Sequence, residues 1–74
     1  MNRSPVKSSH IRSVGYDEAT RTLQVEFNNG KVFNYADVPL AVHREMIYAE
    51  SVGRYFHAAV KSRYEAEPVS EEQG

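Results

Sequence analysis

The sequence LQVEFNNGKVFNY, residues 23–35, contains two apolar-rich segments separated by Asn-Asn-Gly. In the first segment Leu23, Val25 and Phe27 alternate with polar residues, and this period of two is typical of a strand with one face in water. Asn and Gly tolerate the backbone angles of tight turns. The stretch therefore predicts a β-hairpin, and the length of its loop decides which side chains face the core.

Two loop lengths are compatible with these residues. A two-residue loop would turn Phe33 and Tyr35 toward water. A three-residue loop, with Gly30 in a left-handed conformation, pairs Val25 with Phe33 and Leu23 with Tyr35 instead. A shift of one residue moves every side chain to the other face. We expect the second register, because it places both aromatic rings in the core.

The segments on either side of the hairpin extend the prediction. IRSVGY, residues 11–16, is rich in β-branched and aromatic residues and precedes the turn-forming segment DEATRT, so it predicts the first strand. The third strand ends before Val38-Pro39, because proline favours the first position of a helix and disfavours helix in the residue before it. Asp37 or Val38 is the expected cap region.

Two amphipathic helices are predicted after the strands. In residues 39–50 the inward positions recur at helical spacing, while His43, Arg44 and Glu45 are expected to face outward. Ser51 is a suitable N-cap for a second helix. The inward residues are Val42, Met46, Ile47 and Ala49 in the first helix, and Val52, Tyr55, Phe56, Ala59 and Val60 in the second.

These elements predict an α+β fold, in which a three-stranded antiparallel β-meander is followed by two α-helices packed on one face, in the order β-β-β-α-α. A meander is expected because strands joined by short connections are usually neighbours in the sheet. The alternative, in which the first strand crosses to the other edge of the sheet, is compatible with the same sequence. We expect a flexible N-terminus in residues 1–7, one domain in residues 8–64 and a disordered acidic tail in residues 65–74. The tail has one large apolar residue, Val69, which is too little to offset its ordering entropy.

Composition narrows the class of protein. The chain has 74 residues, 41% of them hydrophobic, and no cysteine, so stability must come from packing without disulfides or thiolate zinc sites. No long apolar run and no charged-then-apolar leader is present. We therefore expect a cytoplasmic protein without a signal peptide, a membrane span or a membrane partner.

The formal net charge of −1 hides an uneven distribution. Residues 1–64 contain all nine Lys and Arg but only six of the ten acidic residues. Residues 65–74 contain four Glu and no base. The predicted domain is therefore mildly basic, which is compatible with an anionic partner.

Motifs for catalysis are absent. The chain has no glycine-rich phosphate loop, no HExxH, no GxSxG and no suitably spaced carboxylate pair, so we expect no enzyme, no catalytic residue and no cofactor. His10, His43 and His57 fall on three elements without ligand spacing, and we expect no metal site. Ser8 and Ser9 have hydroxyls that could bind a ligand, although capping of the backbone is the favoured interpretation.

The stretch SVGRYFHAAVKSRY, residues 51–64, is the best candidate for a binding surface. It places three basic residues in a short space with no acid among them, and aromatic rings that could stack on bases. The alternative is that its aromatic residues are core and its basic residues a solvated face. The candidate nucleic-acid-binding residues, including one from the first strand, are Arg12, Arg54, Tyr55, His57, Lys61, Arg63 and Tyr64.

Several short motifs, in order, resemble the KTSC domain. They are Ser9-x-Ile11, Val14-Gly15-Tyr16, Leu23-x-Val25-x-Phe27, Gly30, Phe33-x-Tyr35, Val38-Pro39 and Gly53-Arg54-Tyr55-Phe56 with Lys61 and Tyr64. The resemblance covers about residues 7–64. That family is named for its occurrence at the C-terminus of some lysyl-tRNA synthetases, and it also forms small stand-alone proteins of bacteria and phages. The resemblance implies an accessory role with nucleic acid by association alone.

Two functions of different classes remain open. The first is a non-catalytic module that binds RNA or single-stranded nucleic acid through phosphate contacts and stacking. The second is a protein-interaction module that uses a sheet edge or a groove between the helices. Neither of these two functions predicts an oligomeric state. Affinity that falls steeply with salt would favour the first function.

Overall fold

The computed structural model describes residues 3–69, in which five strands form one sheet and two helices cover one of its faces. The strands lie in the order β1-β2-β3-β4-β5, and each neighbouring pair is antiparallel. Both helices lie in the chain between β4 and β5. The elements are β1 (Arg3–Pro5), β2 (Ile11–Asp17), β3 (Thr22–Phe27), β4 (Val32–Tyr35), α1 (Leu40–Ile47), α2 (Val52–Ala59) and β5 (Ala66–Val69).

The β3–β4 hairpin has the predicted register. Leu23 pairs with Tyr35, and Val25 pairs with Phe33. The three-residue loop is closed by the Phe27 N–H, which donates to the Lys31 carbonyl at 2.8 Å. Gly30 has a φ of +90°, so the turn uses a conformation that is favourable for glycine and strained for other residues.

The prediction of a three-stranded sheet is wrong. Arg3–Pro5 pairs with β2, and Ala66–Val69 pairs with β4, so both segments expected to be loose contribute an edge strand. The physical reason is that β2 and β4 each have a second row of backbone N–H and C=O groups, which a short segment can satisfy without burying much apolar surface. Of the segments predicted to be flexible or disordered, residues 1–2 and 70–74 lie outside the described residues.

The core lies between the sheet and the helices. Phe56 of α2 contacts Tyr35 of β4 and Phe27 of β3, with ring centroids 5.4 and 5.5 Å apart and edge-to-face geometry. The buried residues of the core are Ile11, Val14, Leu23, Val25, Tyr35, Val38, Met46, Val52, Phe56 and Val60. Burial raises the pKa of the Tyr35 phenol above its ordinary value.

The helices differ from prediction mainly at their ends. Ser51 is the N-cap of α2, as expected, and its hydroxyl oxygen accepts a hydrogen bond from the Arg54 N–H at 3.2 Å. Helix α1 is shorter than predicted and begins after Pro39, which provides no side-chain cap. Ile47 lies at the end of α1 and is exposed, so its predicted inward orientation is wrong.

The predicted orientation of His43 in α1 is also wrong. It was expected to face outward, but it is half-buried, and its ring stacks on Tyr16 of β2. The Tyr16 hydroxyl in turn donates to the Val38 carbonyl. Burial, and to a lesser extent the charge of Arg44, lowers the pKa of His43. In the described part of the chain neither helix has the length and apolar content needed to cross a bilayer.

Candidate nucleic-acid interface

A concave cavity lies between α2 and the ends of β2, β3 and β4. Its volume is about 440 Å³, and we call it the aromatic cavity. Its walls are largely apolar, since they contain the rings of Phe27, Phe33, Tyr35 and Phe56. Polar side chains stand at its rim, namely Ser9, His10, Asn28, Asn29, His57 and Lys61.

A second cavity adjoins the first at the N-terminal end of α2. It has a volume of about 470 Å³, and we call it the serine cavity. Its lining residues are Ser8, Ser9, His10, Ser51, Gly53, Arg54, His57 and Ala58. The two cavities share Ser9, His10, Gly53 and His57, and no Asp or Glu lines either of them. An anion in this region therefore meets basic groups without a competing carboxylate.

The segment before β2 is fixed in place by local hydrogen bonds. The Ser8 hydroxyl oxygen accepts from the N–H groups of His10 and Ile11 at 3.2 and 3.3 Å, which confirms a capping role for Ser8. The Asn28 side-chain amide donates to the Ser9 carbonyl at 2.8 Å. These bonds position Ser9 and His10 at the rim of both cavities.

Gly53 allows α2 to approach this segment closely. A Cβ atom at Gly53 would lie 3.1 Å from the Ser8 hydroxyl oxygen. That distance is tighter than most Cβ contacts, so a larger residue would require the Ser8 side chain to shift by a few tenths of an ångström. Glycine at this position therefore permits the close approach of α2 to Ser8.

Three of the predicted binding residues lie on one stripe of α2 and the turn after it. Arg54, His57 and Lys61 are spaced by three and four residues, which places them on the same side of a helix. All three are exposed and line one or both cavities. Opposite them stands His10, whose ring centroid is 6.4 Å from that of His57 in a T-shaped arrangement. The Ser9 hydroxyl lies 3.1 Å from His10 Nδ1.

Arg12 lies at the margin of this region. Its Nη2 donates to the Asn28 carbonyl at 3.2 Å, and its Nη1 is 3.7 Å from Glu26 Oε2. Glu26 also accepts a hydrogen bond from Ser13 on the uncovered face of the sheet. The charge of Arg12 is therefore partly offset by Glu26 and contributes less to the cavities than that of Lys61.

The other predicted residues lie away from the cavities. The Tyr55 hydroxyl donates to Glu45 Oε1 at 2.8 Å between the two helices. Burial, followed by this hydrogen bond, raises the pKa of Tyr55. Tyr64 packs against the core, and Arg63 is exposed but lines neither cavity. Tyr55 and Tyr64 are therefore structural contacts here.

The three histidines do not lie together in the fold. His10 and His57 are neighbours, but His43 is stacked on Tyr16 elsewhere. Among residues 3–69 no cluster of three or more His, Asp or Glu side chains has an arrangement that could hold a metal ion.

Sequence reasoning missed several residues of the site, among them Phe27, Phe33 and His10. Phe27 and Phe33 were expected in the core, but both are only half-buried and line the aromatic cavity. Their position next to the hairpin loop is the signal that could have indicated partial exposure, although Phe27 also contacts Phe56 of α2. His10 was considered only as a metal ligand or as a solvated surface residue.

Comparison with known proteins places the chain in context. The family model described as "KTSC domain" matches residues 7–64. A lysine–tRNA ligase of Trichormus variabilis is 39% identical over 64 residues, which are 86% of this chain and 11% of the ligase. The chain thus spans about a tenth of the length of that relative. An uncharacterized protein of Stutzerimonas stutzeri is 38% identical over 64 residues, 86% of this chain and 90% of that protein.

The fold also matches a solved structure. The crystal structure of a KTSC domain protein from Yersinia pestis superimposes with a TM-score of 0.87 and 35% sequence identity. The match covers 92% of this chain and 96% of the other. The similarity therefore extends beyond the hairpin and helices to nearly the whole chain.

Proposed function

Because the chain belongs to the KTSC domain family, we propose that it is a small non-catalytic module that binds single-stranded RNA through the aromatic and serine cavities. The observation that carries this proposal is the composition of the cavities. Basic side chains from α2 and the turn after it line the two cavities, one of which has half-buried phenylalanine rings in its wall, and no carboxylate is among the lining residues.

Each part of this surface matches one part of a nucleotide strand. Arg54 and Lys61 are suited to phosphate oxygens, because contacts between cations and the phosphate backbone supply most of the affinity for nucleic acid. Phe27 and Phe33 offer apolar ring surface on which an unpaired base can stack. A base inside a duplex is already stacked, so it cannot enter a concave cavity of this kind. Single strands or loops are therefore the preferred form.

The preference for RNA is supported by one relative. The matching segment of the Trichormus variabilis protein is a small part of an enzyme named for joining lysine to tRNA. A domain attached to such an enzyme is well placed to hold RNA. The cavities themselves contribute the phosphate and base contacts, and these do not distinguish ribose from deoxyribose.

A titration with fluorescently labelled oligonucleotides tests the proposal. Single-stranded RNA, single-stranded DNA and duplex RNA of equal length are titrated with protein at low and at physiological salt. We expect single-stranded RNA to bind most tightly and its affinity to fall with salt. Lys61→Gln should weaken binding and reduce the salt slope by about 0.7, the value for one phosphate contact on a single strand.

Arg63→Gln is the matched control, since it removes the same charge from the same end of the chain but outside the cavities. It should leave the salt slope close to that of the original chain. Equal losses in the two variants, or no binding by any oligonucleotide at low salt, would contradict the proposed interface.

Protein interaction is the second candidate and predicts different behaviour. Strand addition is disfavoured at both sheet edges, because β1 contains Pro5 and β5 contains Pro68, and proline has no N–H to donate. The apolar walls of the aromatic cavity are the remaining place for a peptide. Binding to such a peptide would change little with salt.

A further inference from the structure

We propose that the two cavities hold one nucleotide unit, with its base in the aromatic cavity and its phosphate in the serine cavity. This inference rests on the proposed RNA binding and names the part of the strand that each cavity takes. It follows from the division of chemistry between two adjoining cavities that share Ser9, His10, Gly53 and His57.

The aromatic cavity has the size and walls for a base with its sugar. Its volume of about 440 Å³ is within the usual range of small-molecule sites. Phe27 contacts both Phe33 and Phe56, with ring centroids 5.9 and 5.5 Å apart, so the three rings support one another as a wall. A flat heterocycle placed against Phe27 or Phe33 replaces water on an apolar surface.

The serine cavity has donors and a positive charge instead of aromatic walls. Ser51 accepts from the Arg54 N–H through its oxygen, which leaves its hydroxyl hydrogen free to donate. The Arg54 guanidinium is exposed beside it, and Ser9 provides a second hydroxyl. The helix end is not the basis of this assignment, because Ser51 already caps it. The arginine and the two hydroxyls are the groups that recognise phosphate.

The histidine pair stands where the two cavities meet. A phosphate that joins the two parts of the ligand would lie next to His10 and His57. The charged groups that line the cavities with them are Arg54 and Lys61, both positive. Imidazole N–H groups are hydrogen-bond donors, so the pair can donate to the phosphate oxygens.

NMR titration with three small probes separates the two cavities. Adenosine should shift resonances of Phe27 and Phe33 but not those of Ser51 and Arg54, and inorganic phosphate should shift those of Ser51 and Arg54 but not those of Phe27 and Phe33. Adenosine monophosphate should shift both sets and bind more tightly than either. Arg54→Gln should weaken phosphate and adenosine monophosphate by about two- to fivefold and leave adenosine unchanged. Phe33→Leu should weaken adenosine and adenosine monophosphate and leave phosphate unchanged.

A dinucleoside monophosphate tests the histidine pair at one pH, because its diester links two nucleosides. His57→Ala should weaken its binding, since the variant lacks one of the two imidazole donors. Unchanged affinity in His57→Ala would overturn the role of the pair. Arg63→Gln is the control in every titration.

The outcomes distinguish this inference from the function on which it rests. Suppose that oligonucleotide binding depends on Lys61 but adenosine monophosphate shifts resonances of one cavity only. This result would overturn the assignment of base and phosphate to separate cavities and leave RNA binding in place. Absence of oligonucleotide binding at low salt would overturn both. Exposed Arg54 can be changed without disturbing the core, so the test does not depend on the folding of Phe33→Leu.

Discussion

The imidazole of His43 lies parallel to the phenol ring of Tyr16, with centroids 5.0 Å apart and an interplanar angle of 10°. In the described part of the chain, His43 Nδ1 is a buried polar side-chain atom without a hydrogen-bond partner. The stack therefore joins α1 to β2 through a ring that favours the uncharged form.

We predict that His43→Phe stabilises the protein, and more so at low pH. Phenyl keeps the stack and removes the buried nitrogen, whose cost is about 1 kcal/mol or more. Because the pKa of His43 is lowered in the folded state, the unfolded chain binds more protons below its ordinary value of 6.5. The original chain should thus lose stability as the pH falls through that value and below it.

Urea unfolding at neutral and mildly acidic pH measures the effect. Arg44→Gln is the companion variant, because Arg44 also lowers this pKa, and it should make the pH dependence shallower. Identical pH dependence in His43→Phe and the original chain would show that His43 does not titrate differently on folding.

Gly30→Ala should destabilise the domain by about 1 to 2 kcal/mol. Gly30 has a φ of +90°, which is strained for a residue with a Cβ. Outside residues 29–31 no heavy atom lies within 4 Å of a Cβ built there, so the cost arises in the local backbone and not from contact with the rest of the domain. Gly30→Asn should cost less, since asparagine tolerates left-handed backbone better than alanine. Thermal unfolding of the two variants checks the order, and equal losses would point to another cause.

Gly53→Ala should destabilise the chain although alanine is the better helix former. The new Cβ would lie 3.1 Å from the Ser8 hydroxyl oxygen, which cannot move without weakening its bonds to His10 and Ile11. In a Ser8→Ala background the same change should instead gain up to about 1 kcal/mol from helix propensity. A double-mutant cycle by urea unfolding measures the coupling. Additive effects would disprove the close contact.

Removal of β5 should destabilise the sheet. A chain that ends after Tyr64 loses the strand that pairs with β4 from Tyr35↔Ala66 to Val32↔Val69. Compared with a chain that ends after Val69, it should lose about 2 kcal/mol or more, since each ladder hydrogen bond contributes about 1 kcal/mol. Hydrogen exchange should show faster exchange of β4 amides in the shorter chain. Unchanged protection would mean that β5 contributes no stability.

The sequence predicted the parts of the fold that depend on side-chain pattern. The alternation around Val25 and the glycine at position 30 were enough to fix the hairpin register, because any other register exposes apolar rings. Ser51 was likewise recognisable as a cap. Strands β1 and β5 were missed, because RSP and AEPV have no apolar alternation and are held by backbone hydrogen bonds to β2 and β4.

The site was predicted in part for a related reason. The spacing of Arg54, His57 and Lys61 indicates one side of a helix from the sequence alone. The approach of His10 to His57 depends on how the segment before β2 packs against α2, and local pattern contains no information about that contact. Tyr55 was included because it is an aromatic residue beside basic residues on one short helix. In the structure its hydroxyl donates to Glu45 and so joins α2 to α1.

The return of the chain to the sheet after α2 has a consequence for cooperativity. Tyr35 and Ala66 are neighbours in the sheet although both helices lie between them in the chain. The two helices thus form a long insertion between β4 and β5, and the pairing of these strands holds the two ends of the insertion together. If the helices melted alone, β4 and β5 would still close a long disordered loop, which is entropically costly. If β4 separated from β5, the helices would no longer be held against the sheet. We therefore expect the whole domain to unfold in a single transition.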